Sequence, residues 1–211
     1  MRLKELAQVA AAQVPLCPLP LVEMETRWAV KEFLKESRAW TALVKGKWSA
    51  CGEGCRMDWP DGTAPALVYE VRVNGRELAP IAGAGEMWPT SAVASQAGPT
   101  MWRFRNGKIE LFPMQETRQG EVQDYEVEAL AVLTIEGRNP DIPDWIDPYE
   151  ISYGAMGKLF GMAGQPWSNA ALGVAFEEKF GRAIAGKRIE RMHGGRPGSL
   201  TMQTPFVGGY F

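Results

Sequence analysis

The chain has 211 residues, 45% of them hydrophobic and 23% charged, with a formal net charge of -2. That is ordinary globular composition, long enough for one large domain or two small ones. The near-neutral charge excludes a general nucleic-acid-coating role, and no apolar run is long enough to span a bilayer.

The opening stretch "MRLKELAQVAAAQVPLCPLPL" places Lys4 and Glu5 among apolar residues. It reads as a short amphipathic helix over residues 2–13, stopped by prolines, and not as a signal peptide. Next comes "LVEMETRWAVKEFLKESRAW", a longer helix with two apolar stripes. Val22, Thr26, Ala29, Phe33 and Trp40 share one face, and Leu21, Met24 and Trp28 share another. A helix of this kind packs on two sides. The second side meets more of the same core or a neighbouring subunit.

From Thr41 to about Ile135 the period becomes strand-like. Asn74-Gly75 in "ALVYEVRVNGRELAP" and Asn106-Gly107 in "MWRFRNGKIELFP" are hairpin signals, because a two-residue type I′ turn needs positive φ at both positions. "EVQDYEVEALAVLTI" supplies a longer strand. A small antiparallel sheet or sandwich is expected, with a long Gly/Ala/Ser/Pro loop over 81–100.

Helices return at Asp147-Pro148-Tyr149-Glu150. Asp147 can cap, Pro148 suits the first helical position, and Glu150 stands where a capping-box partner belongs. Ile151, Ala155, Leu159 and Met162 form an apolar stripe, while Gly154 and Gly157 thin the other side for close contact. "GMAGQPW" breaks this helix. A second runs from about Ser168 to Met192, with Leu172, Phe176, Phe180 and Ala183 on one face, closing an αα-hairpin. The remaining "GGRPGSLTMQTPFVGGYF" has no helical period and reads as an extended tail.

The predicted fold is α+β, since strands and helices are segregated along the chain. Residues 1–40 and 141–193 make a helical bundle, 41–140 an inserted antiparallel β domain, and 194–211 a C-terminal arm. In that arm Pro205, Phe206, Val207, Tyr210 and Phe211 are candidate residues for docking on another chain or a neighbouring copy. Leu21, Met24 and Trp28 are the candidate inter-subunit face. Lys187, Arg188, Arg191 and Arg196 form a basic helix end, suited to phosphate, to an acidic protein surface or to solvent.

Catalytic signals are weak. The single histidine, His193, has no nucleophile nearby, and "AIAGKRIE" is not a phosphate loop. Cys51 and Cys55 in "CGEGC" have the wrong spacing for a redox motif and lack a second pair for zinc. The expectation is no catalysis, no cofactor and no metal. The competing reading is a metal-binding or enzymatic module built on Cys51, Cys55 and His193.

Three stretches together resemble one family. "PLCPLPLVEMETRWAVKEFLKESRAWT", with Cys17, Pro18, Leu21, Ala29, Phe33 and Trp40-Thr41, looks like the opening of tailed-phage neck proteins. "VYEVRVNGRELAP" with "GPTMWRFRNGKIELFP", and then "IPDWIDPYEISYGAMGKLFGMAGQPWSNAALGVAFEEKFGRAI", follow in the same order. The resemblance spans about residues 15–193 and is to the head-to-tail adaptor (connector, tail tubular protein A-like) group. "SACGEGCRMDWPDG" departs from it with an extra Cys pair, and the C-terminal tail does not match it residue by residue.

The resemblance implies a structural neck component. It would form a ring, typically dodecameric, under the portal after packaging, with portal and tail proteins as partners. DNA would pass through without sequence recognition, and no membrane is involved. The implied location is the virion neck, with the host cytoplasm during assembly. Another neck position, as tail terminator, collar or stopper, is the alternative, although terminators are mostly sheet.

Overall fold

The computed structural model describes residues 1–49, 55–81, 98–112 and 124–192. Among the described residues, four helices and two sheets are segregated as an α+β fold. Among the described residues no helix is long and apolar enough to cross a membrane.

Helix α1, Leu3–Ala11, buries Leu3, Leu6, Ala7 and Ala10, the spacing of one helical face. Its start is closed by Glu5, whose carboxylate accepts the Arg2 N–H at 2.9 Å. Helix α2, Leu19–Ser37, buries Val22, Thr26, Ala29 and Phe33 as expected, together with Val30 and Leu34. It ends earlier than its periodicity suggests. Arg38 takes a left-handed conformation (φ 56°) and turns the chain into the sheet. Trp40 is therefore not on the helix face; its carbonyl accepts the Leu133 N–H at 2.8 Å.

The larger sheet has five strands. β1 is Thr41–Ser49, β2 Cys55–Met57, β3 Thr63–Val73, β4 Arg76–Glu77, and the last in sequence Asp124–Ile135. Between them lie β5, Ala79–Pro80, β6, Met101–Arg105, and β7, Lys108–Phe112, which form a second sheet; Asp124–Ile135 is then β8. The large sheet runs β2-β1-β8-β3-β4, antiparallel throughout. Both Asn-Gly pairs form two-residue hairpins, with φ of 50° and 79° at Asn74-Gly75 and 52° and 75° at Asn106-Gly107. One pairing departs from the antiparallel expectation. β5 runs parallel to β6, which the long connection after Ile81 permits.

The inner faces of the two sheets enclose one core, with Val44, Trp48, Val71, Trp102, Ile109 and Val127 buried. The end of β8 leaves the sandwich and enters the helical layer, where Ile135 packs with Leu6, Phe33, Leu34 and Ile151. The Arg27 guanidinium donates to the carbonyls of Gly137 and Arg138, tying α2 to the chain leaving β8.

Helix α3, Pro148–Gly161, starts where its sequence says. The Asp147 carboxylate accepts the Tyr149 N–H at 2.9 Å and Pro148 takes the first position. The expected return bond from Glu150 is not made; its Oε2 is buried without a partner. Helix α4, Ala170–Met192, begins two residues later than Ser168, with the Asn169 side chain accepting the Leu172 N–H at 3.1 Å. Ser168 instead serves the turn, accepting from the Gln165 N–H and donating to the Met162 carbonyl.

The glycines let α3 and α4 close on each other. A Cβ on Gly154 would lie 2.8 Å from the Phe180 ring and 2.9 Å from Ala29 Cβ. One on Gly173 would lie 3.0 Å from the Gly161 backbone nitrogen. Gly173, not Leu172, therefore occupies the contact line. Leu172 is exposed, which corrects its place on the predicted stripe, while Phe180 is buried and Phe176 half-buried.

Candidate functional site

The surface features that call for a partner lie on the helical layer. On α2, Met24 is 55% and Trp28 39% exposed. They stand one helical turn apart, so their side chains share a face. Leu21 does not share it fully. It is half-buried against the Ala7, Val14, Val22 and Leu159 cluster of its own chain, so the outward face of α2 rests on Met24 and Trp28.

Beside Trp28 sits a charged seam between three helices. The Lys158 ammonium of α3 lies 4.7 Å from the centre of the Trp28 ring and 3.4 Å from Glu177 Oε1 of α4. Glu25 and Glu32 of α2 feel the same cation. Burial nevertheless raises both carboxyls above the ordinary carboxylate range, and Lys158 only partly opposes it.

The basic helix end is assembled as a local cluster. Lys187 is 2.9 Å from Glu190 Oε2, and Lys187, Glu190 and Arg191 line a shallow cleft of about 230 Å³ with Ala39 and Trp145. Arg188 is exposed outside that lining. The Glu150 carboxyl is also raised, by burial first, with Lys187 opposing. Arg196 and the arm residues Pro205, Phe206, Val207, Tyr210 and Phe211 lie outside the described residues, as does most of loop 81–100.

The reading of the sequence missed the outer face of α4. Of this helix only Gly173 and Phe180 are buried. Val174 is 59% and Met192 76% exposed, and Ile189 stands out between them along the helix. Ala171, Glu178, Gly181, Arg182 and Ala185 share that side and are exposed. The signal was present as apolar residues on more than one side of the helix, interleaved with charged ones, so no single stripe marks the buried line. Trp145 and Tyr149, both exposed, were also missed; nothing local in their sequence distinguishes them from core aromatics.

Of the residues of the competing metal-site reading, Cys51 and His193 lie outside the described residues. Cys55 is half-buried, and burial pushes its thiol up to about 12. Such a thiol is a poor nucleophile at neutral pH. Among the described residues no group of His, Cys, Asp and Glu is arranged to hold a metal.

Compared with known proteins, the chain matches no family model and no curated sequence. The geometry and the resemblance of the motifs are what bear on function.

Proposed function

We propose that this chain is a head-to-tail adaptor of a tailed phage, a neck protein that forms a ring between portal and tail and lines the DNA channel. The observation that carries the reading is the pair of uncovered helix faces. Met24 and Trp28 stand out on α2, and Val174, Ile189 and Met192 on α4. They are two different patches on one subunit. A contact that joins one to the other is heterologous, and heterologous contacts close into rings when the rotation allows. The order of the motifs over about residues 15–193, which resembles that of the adaptor group, supports reading the ring as an adaptor. The net charge of -2 suits a channel that lets DNA slide without gripping phosphate. On this reading the aromatic arm, Phe206, Tyr210 and Phe211, docks on the portal.

The test is assembly. Particles carrying the protein, imaged by cryo-EM, should show a closed ring of this chain between portal and tail. The double variant Trp28→Ser with Ile189→Ser should stay folded by circular dichroism and fail to join the ring. Finding the chain inside the capsid or along the tail tube, or an unimpaired double variant, would end the reading.

A further inference from the structure

The sheets adjoin the end of α2 and the start of α3. At the opposite end of the helical layer α1 and α3 finish, and α2 and α4 begin. That end is built from uncharged residues. Residues 6–22 and 159–176, which make its two turns and the helix ends beside them, contain no Asp, Glu, Lys, Arg or His. The turns pack together. Cys17 and Leu21 from the first, and Met162 and Trp167 from the second, lie on one buried cluster with Val14, Val22 and Leu159. Both turns are described throughout. The chain leaves the described residues only between strands or after Met192, about 34 Å of helix from the start of α4.

The outside of this end is apolar. Leu16 is 79%, Leu19 46% and Leu172 42% exposed, with Pro15, Pro20 and Pro166 exposed beside them. Leu16 has a φ of 75°, in the left-handed region that disfavours any side chain with a Cβ. The turn enforces it. Pro15 and Pro18 fix φ around it, the Cys17 N–H reaches the Val14 carbonyl at 3.3 Å, and the Leu21 N–H reaches the Pro18 carbonyl at 2.9 Å. Asparagine or aspartate takes this conformation more readily. The chain instead holds a large aliphatic side chain outward there. Strain kept at an exposed apolar residue is a sign of a contact.

The absence of charge selects the partner. A charged surface brought against this end would lose water and find no counter-charge. The outward sides of α2 and α4 carry Lys31, Lys35, Glu178 and Arg182, all exposed, so neither suits it. The same end of a second copy does. It is equally uncharged, and its helix ends complement themselves. A two-fold rotation sets the partly positive starts of α2 and α4 against the partly negative ends of α1 and α3 in the other copy. Seven exposed residues in 12–20 and ten in 161–172 make a patch somewhat below the about 20–30 residues a side of a stable interface. The contact expected is therefore weak and reversible.

We propose that this uncharged end is a two-fold contact between copies of this chain, with the Leu16 side chains of both copies at its centre. The rigid turn presents Leu16 already in place, so little conformational freedom is lost when the copies meet. The contact is separate from the outward faces of α2 and α4. The inference goes beyond the ring reading and does not rest on it.

Sedimentation equilibrium of the full chain tests it, in a Trp28→Ser, Ile189→Ser background so that the ring faces do not contribute. The average mass should rise with concentration toward two copies and no further. Leu16→Asp should weaken the association at least about tenfold, with Tm equal or higher because aspartate tolerates the left-handed turn. Leu16→Lys should weaken it too. An equimolar mixture of the Leu16→Asp and Leu16→Lys chains should pair again, since opposite charges then meet across the axis. A single copy at every concentration up to about 1 mM overturns the proposal. A dimer that Leu16→Asp leaves intact also overturns it, because the contact then lies on another face. So does a dimer that forms only in a chain ending at residue 192, because the C-terminal residues then occupy this end in the full protein. Binding to neutral phosphatidylcholine vesicles in place of self-association overturns it as well.

Discussion

Helices α3 and α4 form one hairpin, yet they relate to the rest of the protein in opposite ways. In α3 half of the helix is buried: Ile151, Ser152, Gly154, Ala155, Met156, Gly157 and Leu159 pack against α1, α2 and α4. In the longer α4 only Gly173 and Phe180 are buried, and Val174, Ile189 and Met192 face outward. The difference separates two tasks. α3 holds the fold together, and α4 is fastened along one narrow line while presenting apolar surface elsewhere. Substitutions on α3 should therefore be read as stability, and substitutions on the outer side of α4 as assembly.

The largest effect expected is at Gly154. Even a Cβ there meets the Phe180 ring at 2.8 Å and Ala29 Cβ at 2.9 Å. Replacing a helical glycine recovers about 1 kcal/mol of backbone propensity. A leucine side chain has no space to enter, and overpacking of this kind costs about 1–3 kcal/mol or more. Gly154→Leu should lower the urea-unfolding free energy by about 2 kcal/mol or more. Ala185→Leu, on the exposed side of α4, should change it by no more than about 0.5 kcal/mol. Equal losses at the two positions would break the contrast between the helices.

The helix starts sharpen the same contrast on a smaller scale. Asp147 caps α3 through the Tyr149 N–H, and Asn169 caps α4 through the Leu172 N–H. Because α3 is central to the core, Asp147→Ala should cost about 1 kcal/mol globally, a fall in Tm of about 2–4 °C. The first turn of α4 buries little, since Ala170, Ala171 and Leu172 are all exposed. Asn169→Ala should leave Tm nearly unchanged and only speed hydrogen exchange in that turn. A comparable fall in Tm for both variants would mean that α4 is held as firmly as α3.

The same asymmetry explains what was legible from sequence. α3 announced itself through local chemistry: a capping Asp147, Pro148 at the first position, an apolar stripe and two thinning glycines. The Asn-Gly hairpins were legible for the same reason, since positive φ is a property of the two residues themselves. The outer patch of Met24 and Trp28 followed from helical periodicity. What was lost depended on tertiary choices. α4 is apolar on several sides, so periodicity alone could not select Gly173 over Leu172 as the contact. The end of α2 at Arg38 carries no glycine to mark its left-handed turn, so Trp40 was placed on the wrong side of the boundary. The parallel pairing of β5 and β6 joins residues far apart in sequence and leaves no local trace.

The smallest effect tests the seam where α2 meets the hairpin. Lys158 of α3 faces Glu32 and Glu25 of α2 as well as Glu177 of α4. Glu32 Oε2 is buried without a hydrogen-bond partner, and burial raises its carboxyl against the pull of Lys158. A carboxyl raised in the folded state holds its proton there at a pH where the unfolded chain has released it. Stability therefore falls as pH climbs from the ordinary carboxyl value of about 4 through the raised one, and the cost persists above that window. Glu32→Gln removes the charge and keeps the shape. It should raise Tm by about 1–2 °C at pH 7, and the gain should vanish as pH drops below about 4. Glu177→Gln removes only an exposed ion pair and should lower Tm slightly or not at all. A fall in Tm for Glu32→Gln at pH 7 would mean that attraction to Lys158 outweighs burial, and that α2 is held to the hairpin by charge as well as by packing.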